Sequence, residues 1–197
     1  MADKVLALSV GDTRNHAVDI AQPAAVPCID TRACAFFRLP YVERGFLPVW
    51  VVITNERDQP LALDEVRIQF LPYESDRVLA ASDDDLNRRF FNTHRAMPGH
   101  TPIIPIPIHH EAVDAKIVND DTDFGFKSLT VAPHSTAAGY VFYDVSNLGL
   151  MDSALKGAEL YLKEISTTDE KGKKVQLFSF SIPFDKWLAA QPKSGGK

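Results

Sequence analysis

The stretch Phe46-Leu-Pro-Val-Trp-Val-Val-Ile-Thr54 decides the fold class of this chain. It is rich in β-branched and aromatic residues, which favour the extended backbone of a β-strand. Elsewhere in the chain, apolar residues recur at every second position, the period that places side chains on alternate faces of a sheet. The sequence therefore predicts a mainly β fold with residues 46–54 as a central strand.

A turn and a second predicted strand follow this stretch. Residues 55–60 contain Asn, Asp and Pro, which stabilise turns through side-chain hydrogen bonds and a fixed φ. From Leu61 to Leu71 apolar residues alternate with polar ones, with one slip of phase at Asp64-Glu65 that a β-bulge would absorb. We expect the two strands to pair as a hairpin.

The C-terminal third repeats this pattern. Predicted strands cover residues 127–131, 138–145, 157–165 and 175–182, and a polar turn covers residues 166–172. Short strands separated by turns are typical of an antiparallel sandwich or barrel. We expect one domain over residues 1–190 that opens with a strand at residues 5–10, followed by a disordered tail over residues 191–197.

Residues 82–126 interrupt the strand pattern, and we interpret them as an insertion between sandwich strands. Ser82 and the three aspartates at 83–85 predict a helix start, because a hydroxyl caps free N–H groups and acids favour the positive end of the helix dipole. Leu86, Phe90 and Phe91 would form the buried face of this helix, which should end near His94. Three prolines within residues 101–108 predict an extended segment.

Two groups of residues resemble a known family. Val51-Val-Ile-Thr-Asn55 with Gln59-Pro-Leu61, and Leu129-Thr-Val-Ala-Pro133 with Gly139-Tyr-Val-Phe142, resemble landmarks of secreted and lipid-anchored bacterial immunoglobulin-like domains. The likeness covers roughly two-thirds of the chain, the strands outside the insertion. It implies an immunoglobulin-like antiparallel β-sandwich with a central insertion containing a short helix, and an extracytoplasmic location. Many such domains have no assigned activity, so the resemblance assigns no functional residues.

Composition and charge narrow the classes of partner. The 197 residues are 45% hydrophobic and 24% charged, ordinary values for a globular protein. The net charge is −5, and the one dense basic stretch, residues 171–174, fits a hairpin turn, so nucleic acid is not an expected partner. The longest apolar run, residues 46–53, is far shorter than the roughly 20 residues that span a bilayer, so no membrane span is expected.

The two cysteines and the N-terminus leave the cellular location open. Cys28 and Cys34 would form a disulfide in an oxidising compartment and remain free thiols in the cytosol. Residues 1–5 lack the basic and apolar segments of a signal peptide. The protein is therefore either cytoplasmic or a periplasmic or secreted protein whose signal segment was removed. We favour the second interpretation, because residues 5–10 already resemble a strand.

The insertion contains the candidate metal ligands. His94, His100, His109 and His110, together with Glu111, would form a transition-metal site if folding brought three of them together, and no other cofactor is expected. Residues 110–114 approach the His-Glu-x-x-His motif of zinc proteases, but we expect a loop or strand start there instead of the helix that motif needs. Residues 119–125 fail the EF-hand pattern and predict a solvated turn.

No catalytic motif emerges, and we expect a non-catalytic binding or structural module rather than an enzyme. Because loops on a rigid scaffold often carry recognition, the insertion should contact another protein or cell-envelope component. The candidate contact residues are Phe90, Phe91, His94, Ile104 and Ile106. Removing residues 86–110 should leave the sandwich folded.

Two alternatives remain for the function. The first is a metal-binding protein or metal-dependent enzyme that uses the insertion histidines. The second is a small-molecule or carbohydrate binder that uses a patch of exposed aromatic residues on a sandwich face. We expect the strand aromatics to belong to the core; they are Trp50, Phe70, Tyr140, Phe142, Phe178 and Phe180.

Overall fold

A computed structural model gives the structure of the protein and describes residues 22–94, 112–149, 151–169 and 171–191. The strands in these residues are β1 (Gln22–Pro27), β2 (Phe46–Asn55), β3 (Leu61–Ala62), β4 (Arg67–Leu71), β5 (Thr130–Val131), β6 (Ser135–Asp144), β7 (Glu159–Lys163), β8 (Ser166–Thr168), β9 (Lys174–Gln176) and β10 (Phe180–Pro183). The helices are α1 (Asp83–His94), α2 (Val113–Phe124), α3 (Met151–Leu155) and α4 (Asp185–Ala190). The chain is mainly β, as its sequence predicts.

The strands form three antiparallel sheets with the orders β1-β2-β6, β10-β7-β4 and β5-β3-β8-β9. The predicted central strand, β2, is the middle strand of the first sheet. Its alternate residues face inward and are fully buried; they are Leu47, Val49, Val51 and Ile53. Period-two alternation thus produces one buried face along β2.

The inward faces of the three sheets share one hydrophobic core. Val51 of β2, Leu61 of β3, Phe70 of β4 and Leu160 of β7 belong to the same buried cluster. Each fully buried side chain of this size contributes roughly 1.5–3 kcal/mol to folding through removal of apolar surface from water. This shared core holds the sheets together in a sandwich-like arrangement.

The predicted hairpin between β2 and residues 61–71 is wrong. β2 pairs with β1 and β6. Residues 61–71 divide into β3, which pairs with β5 and β8, and β4, which pairs with β7. The slip of phase at Asp64-Glu65 therefore marks the point at which the chain passes from one sheet to another, and no bulge is needed to explain it. Alternation shows which face of a strand is buried but does not identify the neighbouring strand.

The predicted polar turn at residues 166–172 is partly wrong. Its first three residues form β8, which pairs with β9 across a tight turn. Ser166 and Thr167 are buried, and the Thr167 hydroxyl donates a hydrogen bond to the Pro60 carbonyl at 3.0 Å. The buried position of the Thr167 hydroxyl is explained by this hydrogen bond to the neighbouring backbone.

Helix α1 confirms the predicted helix at its start, and the helix continues to His94, the last described residue before residue 112. The Ser82 Oγ accepts a hydrogen bond from the Asp85 N–H at 3.3 Å, and the Ser82 N–H donates one to the Asp85 Oδ2 at 3.1 Å. This reciprocal pair is a capping box, which satisfies donors that the first helical turn leaves free. Leu86 and Phe90 form the buried face of the helix.

Helix α2 contradicts two expectations. Residues 113–124 are helical, so neither the loop expected at residues 110–114 nor the solvated turn expected at residues 119–125 describes them. Ile117 and Asp120 lie on the buried side of α2. The sequence offered no capping side chain here, because the N-cap residue is Ala112.

The two helices of the insertion belong to the folded body. Leu86 and Phe90 of α1 and Ile117 of α2 form a second hydrophobic core with Tyr41 and Phe46. Removing residues 86–110 would expose this core, so we no longer expect the remaining sandwich to fold unchanged. The strand expected at residues 5–10, the extended segment at 101–108 and nearly all of the expected tail lie outside the described residues.

Candidate functional site

The candidate site begins in the loop between β1 and β2. A disulfide joins Cys28 to Cys34 in this loop, so the structure contains the disulfide and not the free thiols. The residues that follow insert Phe37 and Tyr41 into the second core. The stapled loop thus lies against the helices of the insertion.

A buried carboxylate on α2 fastens this loop to the helix. Asp120 is fully buried, and it accepts hydrogen bonds from the Arg38 N–H at 3.0 Å and from Arg38 Nη1 at 3.0 Å. The Tyr41 hydroxyl donates a third hydrogen bond to Asp120 Oδ2 at 3.0 Å. Because a buried charge is tolerated only when it is paired and hydrogen-bonded, this network accounts for a carboxylate in the core.

The network also raises the pKa values of two of its members, Tyr41 and Arg38. Burial raises the pKa of the Tyr41 hydroxyl, and the negative charge of Asp120 raises it further. The hydrogen bonds to Asp120 and Asp123 raise the pKa of the Arg38 guanidinium. Tyr41 therefore stays protonated and acts as a hydrogen-bond donor, a positioning role rather than an acid–base one.

Four aromatic side chains form a partly exposed cluster above this network. We define the aromatic surface as Phe36, Trp50, Phe124 and Tyr140. The ring centroids of Trp50 and Tyr140 are 4.9 Å apart, those of Phe36 and Tyr140 are 5.6 Å apart, and those of Phe36 and Phe124 are 5.1 Å apart. Phe36 is 44% exposed, and the other three side chains are partly exposed. The four residues come from the stapled loop, from strands β2 and β6, and from helix α2.

The strand register extends this surface across the outward face of the first sheet. Val26, Trp50 and Tyr140 lie side by side on β1, β2 and β6. The next outward row consists of Ala24, Val52 and Ala138. The residues of these two rows carry no charge. The face therefore combines aromatic rings with small apolar side chains, whereas most solvent-facing strand positions are polar.

The structure describes the side chain of only one predicted partner-contact residue, Phe90. It is 4% exposed, and its ring packs against Tyr41 with centroids 5.5 Å apart. Phe90 therefore faces the core, as expected for the buried face of α1, and presents little surface to a partner. The side chains of the other four residues lie outside the described part; they are Phe91, His94, Ile104 and Ile106.

The candidate metal site also falls outside the described side chains. This applies to all five of its residues, which are His94, His100, His109, His110 and Glu111. Within the described ranges, no group of three or more His, Cys, Asp or Glu side chains could hold a metal ion. Among the same residues, no helix is long and apolar enough to cross a membrane.

The expectation that the strand aromatics form the core is correct for Phe70 and Phe142, which are buried. It is correct in part for Tyr140 and Phe180, which are partly buried and pack against the second and the first core. It is wrong for Trp50, which faces outward, and for Phe178, which is 92% exposed. Trp50 lies in the opposite phase to the buried Val49 and Val51, so the alternation along β2 could have revealed its orientation. No sequence signal indicated that Phe36 and Phe124 would join it.

The chain was compared with models of protein families, with curated proteins and with solved structures, and no match was found. The residues and geometry of the site therefore carry the functional interpretation.

Proposed function

We propose that the protein is a non-catalytic binding module that works outside the cytoplasm and contacts a partner protein through the aromatic surface. The observation that carries this proposal is the cluster of partly exposed rings on an uncharged sheet face. Aromatic residues are enriched and charged residues depleted at the centre of protein interfaces. Trp and Tyr are among the residues that contribute most to binding there.

The proposed body is an immunoglobulin-like sandwich of the kind found at the bacterial cell envelope. Its support is the set of antiparallel sheets around one core, together with the sequence resemblance over residues 51–61 and 129–142. The Cys28–Cys34 disulfide supports a location outside the cytoplasm, because such bonds persist in oxidising compartments.

The chemistry of the face favours a protein partner with an uncharged, apolar contact area. A charged partner would lose hydration against rows that offer it no opposite charge. Polar groups border this area. Thr54 of β2 and Thr136 of β6 are hydrogen-bonded to each other at 3.1 Å. Asp123, which precedes Phe124 in the sequence, forms an ion pair with Arg38 at 2.6 Å. An apolar centre with a polar rim is the usual anatomy of a protein interface.

Site-specific crosslinking tests this proposal. A photoreactive amino acid at position 52, in the middle strand of the face, should crosslink one protein in an envelope extract of the source organism. That protein would be identified by mass spectrometry, purified and titrated against the full chain by calorimetry. Trp50→Ala and Tyr140→Ala should each weaken binding by about tenfold or more, as expected for aromatic interface residues.

The matched control is Phe178→Ala, because Phe178 is a highly exposed aromatic residue outside the aromatic surface. This variant should bind the partner like the unaltered chain. Circular dichroism and urea unfolding would establish that all three variants are folded. Unchanged affinity in both Trp50→Ala and Tyr140→Ala, or an equal loss in Phe178→Ala, would overturn the assignment of this face.

A further inference from the structure

A cavity of about 270 Å³ lies at the edge of β6, beside the aromatic surface. Two segments approach this edge: the Ala81 N–H donates to the Phe142 carbonyl at 2.8 Å, and the Phe126 N–H donates to the Tyr140 carbonyl at 3.0 Å. Leu86 of α1 forms part of the cavity wall. The volume is near the lower end of the roughly 300–1,000 Å³ found for ligand sites, which suits a small molecule.

The wall of this cavity is polar and apolar in nearly equal parts. The sheets that contain β4 and β6, and helices α1 and α2, contribute to it through side chains such as Ile68 of β4, Ile117 of α2 and Phe142 of β6. The residues with polar side chains in the lining are Tyr41, Tyr140, Asp83 and Asp121. None of the described residues that line the cavity is basic. A concave site that combines apolar side chains with a few polar groups is the usual form of a ligand site.

The charges around the cavity favour a cation. Asp120, the nearest buried carboxylate, is already paired with Arg38. Asp83 and Asp121 both add to the rise in the pKa of the Tyr41 hydroxyl, after the larger effects of burial and Asp120, so their negative charge reaches the interior of the cavity. Charged groups act more strongly on one another next to low-dielectric walls than in open water.

Asp121 already binds an ammonium group. The Lys127 Nζ lies 2.8 Å from Asp121 Oδ2, and the Lys127 side chain is half-exposed. Lys127 does not line the cavity, so its ammonium approaches the carboxylate from outside. An exposed pair of this kind is weak, so a ligand ammonium can replace or share it.

We propose that this cavity binds a small organic cation, a protonated amine carried on a short apolar or aromatic body. The apolar body would lie against Ile68, Phe126 and Val141, which are partly exposed, and the ammonium would lie at the carboxylates of Asp83 and Asp121. An anion of the same shape would meet two like charges, and a neutral molecule would gain no charge-assisted hydrogen bond. The cavity shares Tyr140 with the aromatic surface, but Trp50 and the other residues of that surface do not line it, so binding of the amine does not depend on Trp50.

Calorimetry with three molecules of matched shape tests the proposal. The full chain would be titrated at pH 7 with 2-phenylethylamine, 2-phenylethanol and phenylacetate, which differ mainly in charge. The amine should bind saturably with one molecule per chain, about tenfold or more tighter than the alcohol, and phenylacetate should not bind. Equal affinity for the three molecules, or no binding of the amine at millimolar concentration, would overturn the proposal.

Near-isosteric variants locate the binding. Asp121→Asn and Asp83→Asn should each weaken binding of the amine several-fold, and Lys127→Met should keep or strengthen it, because a competing ammonium is removed. The matched control is Asp76→Asn, an exposed acid that does not line this cavity, and it should bind normally. Unchanged affinity in both Asp83→Asn and Asp121→Asn, with circular dichroism showing folded protein, would rule out the site. Trp50→Ala should still bind the amine, which separates this test from the partner test.

Discussion

Asp120 shows how a single residue connects distant parts of this chain. The carboxylate lies on α2, while the groups that bind it, Arg38 and Tyr41, belong to the loop before β2. Its charge is paired with one guanidinium, and one backbone N–H and one phenol donate further hydrogen bonds to it. The position of the stapled loop against the helices therefore depends on this side chain.

Replacing Asp120 with Asn should destabilise the protein. The amide keeps the shape but removes the charge that strengthens three hydrogen bonds, and hydrogen bonds to charged groups are worth about 1.5–3 kcal/mol. We expect the free energy of unfolding, measured in urea at pH 7, to fall by about that amount. Asp123→Asn is the matched control, because Asp123 binds the same guanidinium at 2.6 Å from an exposed position; it should cost at most about 1 kcal/mol. Equal losses in the two variants would contradict this account.

At the scale of the element, helix α1 depends on its first turn and on one anchor further along. Ser82 and Asp85 form the capping box, and Arg89 Nη2 reaches Asp144 Oδ2 at 2.6 Å and Ser146 Oγ at 2.8 Å. These contacts tie the helix to the end of β6. The hydrogen bond from the Ser82 hydroxyl, and next that from the Ser82 N–H, lower the pKa of Asp85 below its ordinary value.

Replacing Ser82 with Ala should destabilise α1 and should make the stability of the protein less dependent on pH. Loss of an N-cap hydroxyl costs about 1 kcal/mol at neutral pH. Because the pKa of Asp85 is lower in the folded protein, its contribution is present above the unfolded pKa and disappears as pH falls through the folded value. The decrease in unfolding free energy between pH 7 and pH 3 should therefore be smaller in Ser82→Ala than in the unaltered chain. Ser82→Thr, which keeps the hydroxyl, is the control; a full acid response in Ser82→Ala would disprove this role.

For the whole molecule, the arrangement depends on two cores. The first lies among the three sheets, and the second joins the stapled loop to α1 and α2. Gly139 on β6 allows the two parts to meet, because a Cβ there would overlap the Phe126 backbone. The segment that follows α2 therefore lies directly against β6, where the cavity and part of the aromatic surface also lie.

Loss of the Cys28–Cys34 disulfide should lower the stability of the whole molecule. Closing so short a loop restricts the unfolded chain and is worth roughly 2 kcal/mol. The double variant Cys28→Ser/Cys34→Ser should unfold at a lower urea concentration, with a free energy of unfolding about 2 kcal/mol below that of the unaltered chain. A reducing agent should shift the unaltered chain to the same midpoint and leave the double variant unchanged. If reduction has no effect on the unaltered chain, the native protein lacks the bond.

The sequence by itself determined the features that act over a few residues. Alternation identified β2 and most of β6, and Ser82 with its aspartates identified the start of α1. These signals are local because side-chain direction and helix capping depend only on near neighbours. Period-two alternation also showed that β2 has one buried face, although it could not show what covers that face.

The tertiary structure alone decided the pairing of the strands and the residues of the site. Residues 61–71 divide between two sheets, and Tyr140 meets Trp50 and Phe36, because each contact depends on segments far apart in the chain. Asp120 lies in a stretch that resembles a solvated turn, and its burial depends on Arg38, 82 residues away, and on Tyr41 in the same distant loop. The stability of such a contact comes from partners that no local window of sequence contains.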